Sequence, residues 1–315
     1  MKNQVVTLSL VFTLGTALLL CAEGCRRNGA VDEIDSYADE IKRWQANRAL
    51  QIGNDNGWLS LSGLFWLKEG ENPFGTDSSN AVIFPPGSSP AKAGSISLKK
   101  ENIILNAPAK SNIKCNDSLI TRMKLISDES GIARPTILTT GSLSFYVVKR
   151  GDRFAVRLKD KNNPPLKNFK GLEFYPVNPE LAISASYRQY DQPKILEISS
   201  IIGTVTPETC RAALIFDING RSCTLDVISD DVFKELHVMF TDETTGKETY
   251  GNGRQLMTTI PDDEGKVILD FNKAYNWPCA YTPYATCPIP PKQNHIPVRI
   301  EAGEKKYLRT TDILN

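Results

Sequence analysis

The spacing of apolar and polar positions changes character along the chain, and each change predicts a different element. Val5–Leu20 is a short, mostly apolar run ending in Ala17-Leu18-Leu19-Leu20. Further on, Ile34, Tyr37, Ile41 and Trp44 recur at three- and four-residue steps, which predicts one amphipathic helix, capped by Asp32 and ending near Gly53. Trp58–Leu67 is apolar on both faces with small residues between, as in a buried strand. From Ala81 to Asp270 the pattern shortens to strand-length runs, among them Ser95–Leu98, Asn102–Asn106, Leu143–Arg150, Arg153–Lys159, Cys210–Asp217, Cys223–Ile228 and Leu236–Thr241. Gly151-Asp152, Asn219-Gly220 and Asp262-Asp263-Glu264-Gly265 supply the turns. This predicts a mainly β fold of sandwich or barrel type with one N-terminal helix. Lys161–Pro165 is the expected boundary between two β lobes, at 57–160 and 166–315.

The apolar–polar pattern breaks down between Asp270 and Lys305. Six prolines fall within residues 278–297 (Pro278, Pro283, Pro288, Pro290, Pro291 and Pro297), with no glycine among them. So many missing N–H donors and fixed φ angles exclude a helix or a central strand. The aromatics and cysteines between them exclude a floppy linker. The segment therefore predicts a long loop of preset shape, the kind of element that carries function.

The N-terminal apolar run is too short to span a bilayer and is followed by small residues, as in a signal peptide. Within Cys21-Ala22-Glu23-Gly24-Cys25, Cys25 follows Gly24 and has Ala22 three positions before it. That resembles a bacterial lipobox, and implies a signal peptide over 1–24, lipidation at Cys25 and a helix-bearing linker over 25–56. The expected address is the bacterial cell envelope, with the membrane as partner through a lipid anchor.

After removal of that leader about 290 residues remain, with 37 basic and 36 acidic residues in the whole chain. The balance favours neither nucleic acid nor an anionic membrane face. Cys115, Cys210, Cys223, Cys279 and Cys287 follow Cys25, an odd number in an oxidising compartment. Cys210 and Cys223 flank a two-residue hairpin in a register that keeps them apart. Cys279 and Cys287 are the candidate disulfide, with two buried thiols as the alternative. Their spacing matches no zinc knuckle, and no histidine stands near a ligand-spaced partner, so neither a metal nor another cofactor is expected. Gly-x-Ser-x-Gly is absent. Arg150-Gly151-Asp152 reads as a hairpin tip. Trp58 and Trp66 read as core, with a sugar-stacking platform as the alternative.

The loop gathers the candidate ligand-binding or catalytic groups. Asp270, Asn272, Tyr275, Asn276, Tyr284 and Asn294 offer hydrogen-bonding groups and aromatic faces, Glu301 and Glu304 add carboxylates, and Arg254 adds a fixed cation. Such a set suits a neutral polar ligand, a glycan or a peptide. Two carboxylates on one ligand would also permit glycoside hydrolysis. The competing expectation is structural: these groups satisfy backbone atoms that the prolines leave unpaired.

Gly57-Trp58-Leu59 to Phe65-Trp66-Leu67, Glu69–Gly75, Thr249-Tyr250-Gly251 with Gly253-Arg254, and the Asp270–Lys305 block together resemble the DUF1684 family of uncharacterised bacterial and archaeal proteins. Trp277 and His295 stand where that family usually has proline and arginine. The resemblance brings no activity with it. Glu69–Pro85 and the strands to Asn116 are similar to the opening of a forkhead-associated β-sandwich. Thr76 follows Gly75 where those domains place a phosphate-binding arginine, so the resemblance extends to fold and not to phosphopeptide binding. The resulting expectation is a lipid-anchored envelope protein that binds or scaffolds through the 270–305 loop, the alternative being a hydrolase of a glycan or peptidoglycan-derived substrate.

Overall fold

The computed structural model describes residues 22–128, 134–230 and 234–309, with side chains of the first helix described from residue 36 onward. The apolar run at 5–20 lies outside the described residues, and so does the side chain of Cys25.

Helix α1 spans Ala22–Ile52, so Asp32 lies inside it rather than capping it. Its inward face carries Tyr37, Ile41, Trp44, Arg48 and Ile52, the three- and four-residue steps of a helix docked along one side. Gly53 closes it by donating to the Ala49 carbonyl.

The chain is mainly β, arranged in three sheets. A six-stranded sheet runs in the order Leu61–Trp66, Arg153–Asp160, Leu143–Arg150, Leu138–Thr140, Lys114–Cys115, Ser118–Leu119. A five-stranded sheet, ordered Val82–Ile83, Gly70–Gly75, Gly94–Lys99, Asn102–Asn106, Arg122–Lys124, packs against it. Phe74 and Phe84 meet Phe145 between them, with ring centroids 5.3–5.8 Å apart. Apolar side chains alternate inward from both sheets, Ile96 and Leu105 against Val147, Val156 and Leu158. Arg150 pairs with Arg153 across Gly151-Asp152, so the Arg-Gly-Asp tripeptide is a hairpin tip.

The third sheet is eight-stranded and forms the second lobe. Its main path is Lys266–Asp270, Ala182–Ser199, Val205–Ile218, Arg221–Asp230, Glu235–Asp242, Arg254–Thr259, Tyr275–Asn276, and His295–Ile296 pairs parallel to Glu235–Asp242. It curls until Thr258 Oγ1 donates to the Ile268 carbonyl, 2.8 Å away, but no ladder joins those two strands into a barrel. Leu214, Leu225, Val238, Phe240, Leu256, Leu269 and Phe271 fill its interior. The 18-residue strand Ala182–Ser199 is not predicted from the sequence. Its register breaks between Gln189 and Lys194, where Pro193 has no N–H to give, and its exposed positions are mostly polar, Ile195 excepted.

Short connections hold the lobes together. Asn163, in the segment between them, donates to the carbonyls of Leu59 and Leu61 at 2.7 and 2.8 Å. The proline-rich block then wraps from the second lobe across to the first.

Candidate functional site: an arginine-lined cleft between the lobes

Most of the polar groups that the loop gathers are spent on holding the loop. Asp270 caps the turn Phe271–Lys273 by accepting from the Asn272 backbone at 3.1 Å, and takes the Tyr37 hydroxyl of α1 at 2.8 Å. Asn272 accepts from the Asn178 N–H and donates to the Asn178 carbonyl, both at 2.8 Å. Asn294 does the same with Asp226, accepting from its N–H at 2.9 Å and donating to its carbonyl at 2.8 Å, and also donates to the Met239 carbonyl. Strands Arg221–Asp230 and Glu235–Asp242 pair only from Ile228↔His237 onward, so this amide stands in for the ladder beyond that point.

Arg254 is the largest fully buried side chain. It pairs with buried Asp242 at 2.7 Å and donates to the carbonyls of Ile300 and Ala302. Glu304 is equally buried. It accepts from the Tyr281 hydroxyl and from the side chain and backbone of Asn276, and faces Arg48 at 3.7 Å. Burial pushes the Glu304 carboxyl above its usual range, against the pull of Arg48, Tyr281 and Asn276. Burial and Glu304 together raise the Tyr281 phenol.

The carboxylates do not converge. Glu301 is exposed, pairs with Arg299 at 2.7 Å, and lines a separate surface cavity with Asp217 and Asn178. Asp270 and Glu304 are turned into the hydrogen bonds just described. Tyr284 lines another hollow, of about 230 Å³, with Tyr281 and Tyr307.

What the loop opens onto is a cleft of about 360 Å³ between the lobes. Arg48 reaches it from the end of α1, Trp58 from the turn before the first strand, and Arg150 and Arg157 from the first-lobe hairpin. Gln255 and Tyr275 come from the second lobe, and Trp277, Pro278 and Ala285–Pro288 from the loop itself. Arg48 stacks on Tyr275, its Cζ 4.4 Å from the ring centroid, and Arg157 lies 6.0 Å from both Trp58 and Tyr146. Thr286 accepts from Arg150 Nε at 2.8 Å. Cys279 and Cys287 are placed as a disulfide with Cα atoms 6.2 Å apart, and each Sγ accepts from the other's backbone N–H at 3.2 Å. Cys287 of the bridge is part of this wall.

Of the loop groups singled out from the sequence as candidates, Tyr275 and Cys287 line the cleft. Arg48, Arg150 and Arg157 are not marked by spacing. The one signal is the charged residue within the apolar run Phe154-Ala155-Val156-Arg157-Leu158. Trp58 lines the cleft, whereas Trp66 is covered by Arg153 at 3.7 Å from its ring. His237 stands behind the wall, against Trp277, with its Nε2 2.7 Å from Gln255; burial holds its pKa down. Among the described residues no group of histidine, cysteine, aspartate or glutamate could hold a metal ion, and no helix is long and apolar enough to cross a membrane.

Residues 167–305 match the model of the DUF1684 family, a protein family of unknown function. The match covers the second lobe and its loop and supports the family resemblance there. A solution NMR structure of an uncharacterized protein from Haloarcula marismortui is 29% identical, covers 44% of this chain and 78% of that one, and has a TM-score of 0.37. No curated protein matches.

Proposed function

We propose that this protein is an exported, lipid-anchored binding module of the bacterial cell envelope, and that the cleft between its lobes holds the ligand, part of a glycan or a peptide. The cleft carries this reading: it lies at a lobe interface, where small-ligand sites concentrate, and combines aromatic faces with a few fixed polar groups. The proline-rich block supplies one wall, and the amides and carboxylates behind it keep that wall in shape. The lipid anchor is read from Gly24-Cys25 and its upstream apolar run. The hydrolase alternative needs two carboxylates facing one ligand. Nothing in the cleft favours it, because Glu304 and Asp128, the carboxylates nearest its arginines, are each turned onto one of them.

The test is a panel of envelope glycans and peptides titrated into wild type and into Thr286→Trp, which fills the cleft from a half-buried position. Binding by wild type that disappears in a normally melting T286W supports the reading. A panel ligand that binds both proteins equally, or no binding by wild type, overturns it.

A further inference from the structure

One wall of the cleft holds a cation without a counter-charge. Arg157 is 4% exposed, yet no aspartate or glutamate among the described residues pairs with it. Its Nη1 lies 3.5 Å from the Tyr146 hydroxyl and its Nη2 3.4 Å from Thr286 Oγ1, both at the long limit of a hydrogen bond. Its Nε has no partner among the described residues. The two neighbouring arginines differ. Arg150 takes both oxygens of Asp128 at 3.0 and 2.9 Å, and Arg48 faces Glu304. Lys159, two residues along the strand, has its pKa lowered by burial and by the charge of Arg157.

Buried guanidinium groups are ordinarily paired, since removing the charge from water is costly. The indole N–H of Trp277, on the same cleft, is also buried without an acceptor. Arg157 and Trp277 both line a space whose other walls offer no free carboxylate. The chemical complement is a group that only accepts and carries negative charge.

We infer that Arg157 receives an anionic oxygen group, a carboxylate or a phosphate, on the ligand of this cleft. The inference rests on the cleft being the ligand site, and narrows the ligand to an acidic glycan or a peptide carboxylate. A larger hollow of about 530 Å³ beside Lys114, Lys159 and Lys161 is a weaker candidate for the same chemistry, because Lys161 is exposed and Lys159 already donates to the Asn56 carbonyl at 2.6 Å.

The experiment is an NMR titration of the full chain with inorganic phosphate, and separately with acetate, at constant ionic strength in chloride. The arginine Nε–H and tryptophan indole signals are read. Saturable shifts are expected at Arg157 and Trp277 and not at exposed Arg299. Affinity should fall at least tenfold in Arg157→Gln and less in Arg157→Lys, which keeps the charge but loses the planar fork. Whichever anion binds more tightly identifies the group. Arg157→Gln should melt no lower than wild type, since it removes an unpaired charge; if it fails to fold, Arg157→Lys carries the comparison. Uniform, unsaturating shifts at all arginines, or unchanged affinity in both variants, overturn the inference. If neither phosphate nor acetate finds a site while Thr286→Trp still abolishes binding of a neutral glycan, the anion is lost and the cleft reading stands. Saturable phosphate binding that Thr286→Trp leaves untouched has the opposite meaning for the cleft, and places the anion elsewhere.

Discussion

The guanidinium of Arg48 lies 3.7 Å from the carboxylate of Glu304, and both side chains are buried. This contact ties the end of α1 to the end of the proline-rich block, and Asn276 and Tyr281 complete the carboxylate's surroundings. Glu304→Ala strips all of these groups of their acceptor at once. Breaking one side of a buried pair costs about 3–5 kcal/mol, so the melting temperature should fall by on the order of 10 °C. A loss within error would mean that Glu304 does not brace the fold.

The same carboxyl gives a pH signature. Burial raises the pKa of Glu304 above 4.5, so between that value and its folded pKa the folded state binds more protons than the unfolded state. Its contribution to stability must then fall as pH rises through that window. Glu304→Gln removes the effect. Melts of both proteins from about pH 4 to about pH 8 should show wild type losing ground to E304Q as pH increases. Parallel curves would contradict the shift.

Much of the fold is legible in the sequence, because apolar alternation and turn chemistry agree along the first-lobe hairpin and along residues 205–228. The strand Ala182–Ser199 is not, since half its positions face solvent and Pro193 interrupts it. The candidate site is legible only as an address. Asn272 and Asn294 look like ligand groups because a sequence does not show that an amide is already occupied by the backbone of Asn178 or Asp226. Arg48, Trp58 and Arg157 come from separate segments, and only the packing of the lobes makes them neighbours.

Asn294 offers a sharper test of bracing. Its amide serves one backbone N–H and two carbonyls between adjacent strands. Asn294→Ala leaves those groups unmet, at about 1–3 kcal/mol. Asn294→Asp should be worse than alanine, because it keeps the acceptor but sets a carboxylate against two carbonyl oxygens. Chemical denaturation of both variants checks the order, and an aspartate variant as stable as wild type would refute it.

The two glycines of Tyr250-Gly251-Asn252-Gly253 should respond oppositely. Gly253 has φ +76°, and a Cβ there would meet the Phe240 carbonyl oxygen at 2.5 Å and Pro290 at 2.8 Å. It permits the loop to lie on the strand beside Arg254. A Cβ on Gly251 would have its nearest contact at 3.9 Å. Gly253→Ala should cost at least about 1–3 kcal/mol from the backbone conformation alone, before any clash, and Gly251→Ala should be close to neutral. Equal melting of the two variants would contradict this account.

The anchor has its own test, set by the residues around the two N-terminal cysteines. Cys25 follows Gly24 and has Ala22 three positions before it, whereas Cys21 follows Leu20, too large for the position before a lipidated cysteine. Acylation at Cys25 would supply several chains, and one chain alone holds a protein only marginally to a membrane. Cys25→Ser should therefore move the protein from the membrane fraction to the soluble one, while Cys21→Ser stays with the membrane. Metabolic labelling with a fatty-acid analogue should follow the same split. If Cys21→Ser is the variant that becomes soluble and unlabelled, the lipidated cysteine is Cys21 and the leader ends four residues earlier. If both variants remain in the membrane fraction without label, the protein is not held there by acylation of either cysteine, and the envelope anchor proposed above is wrong.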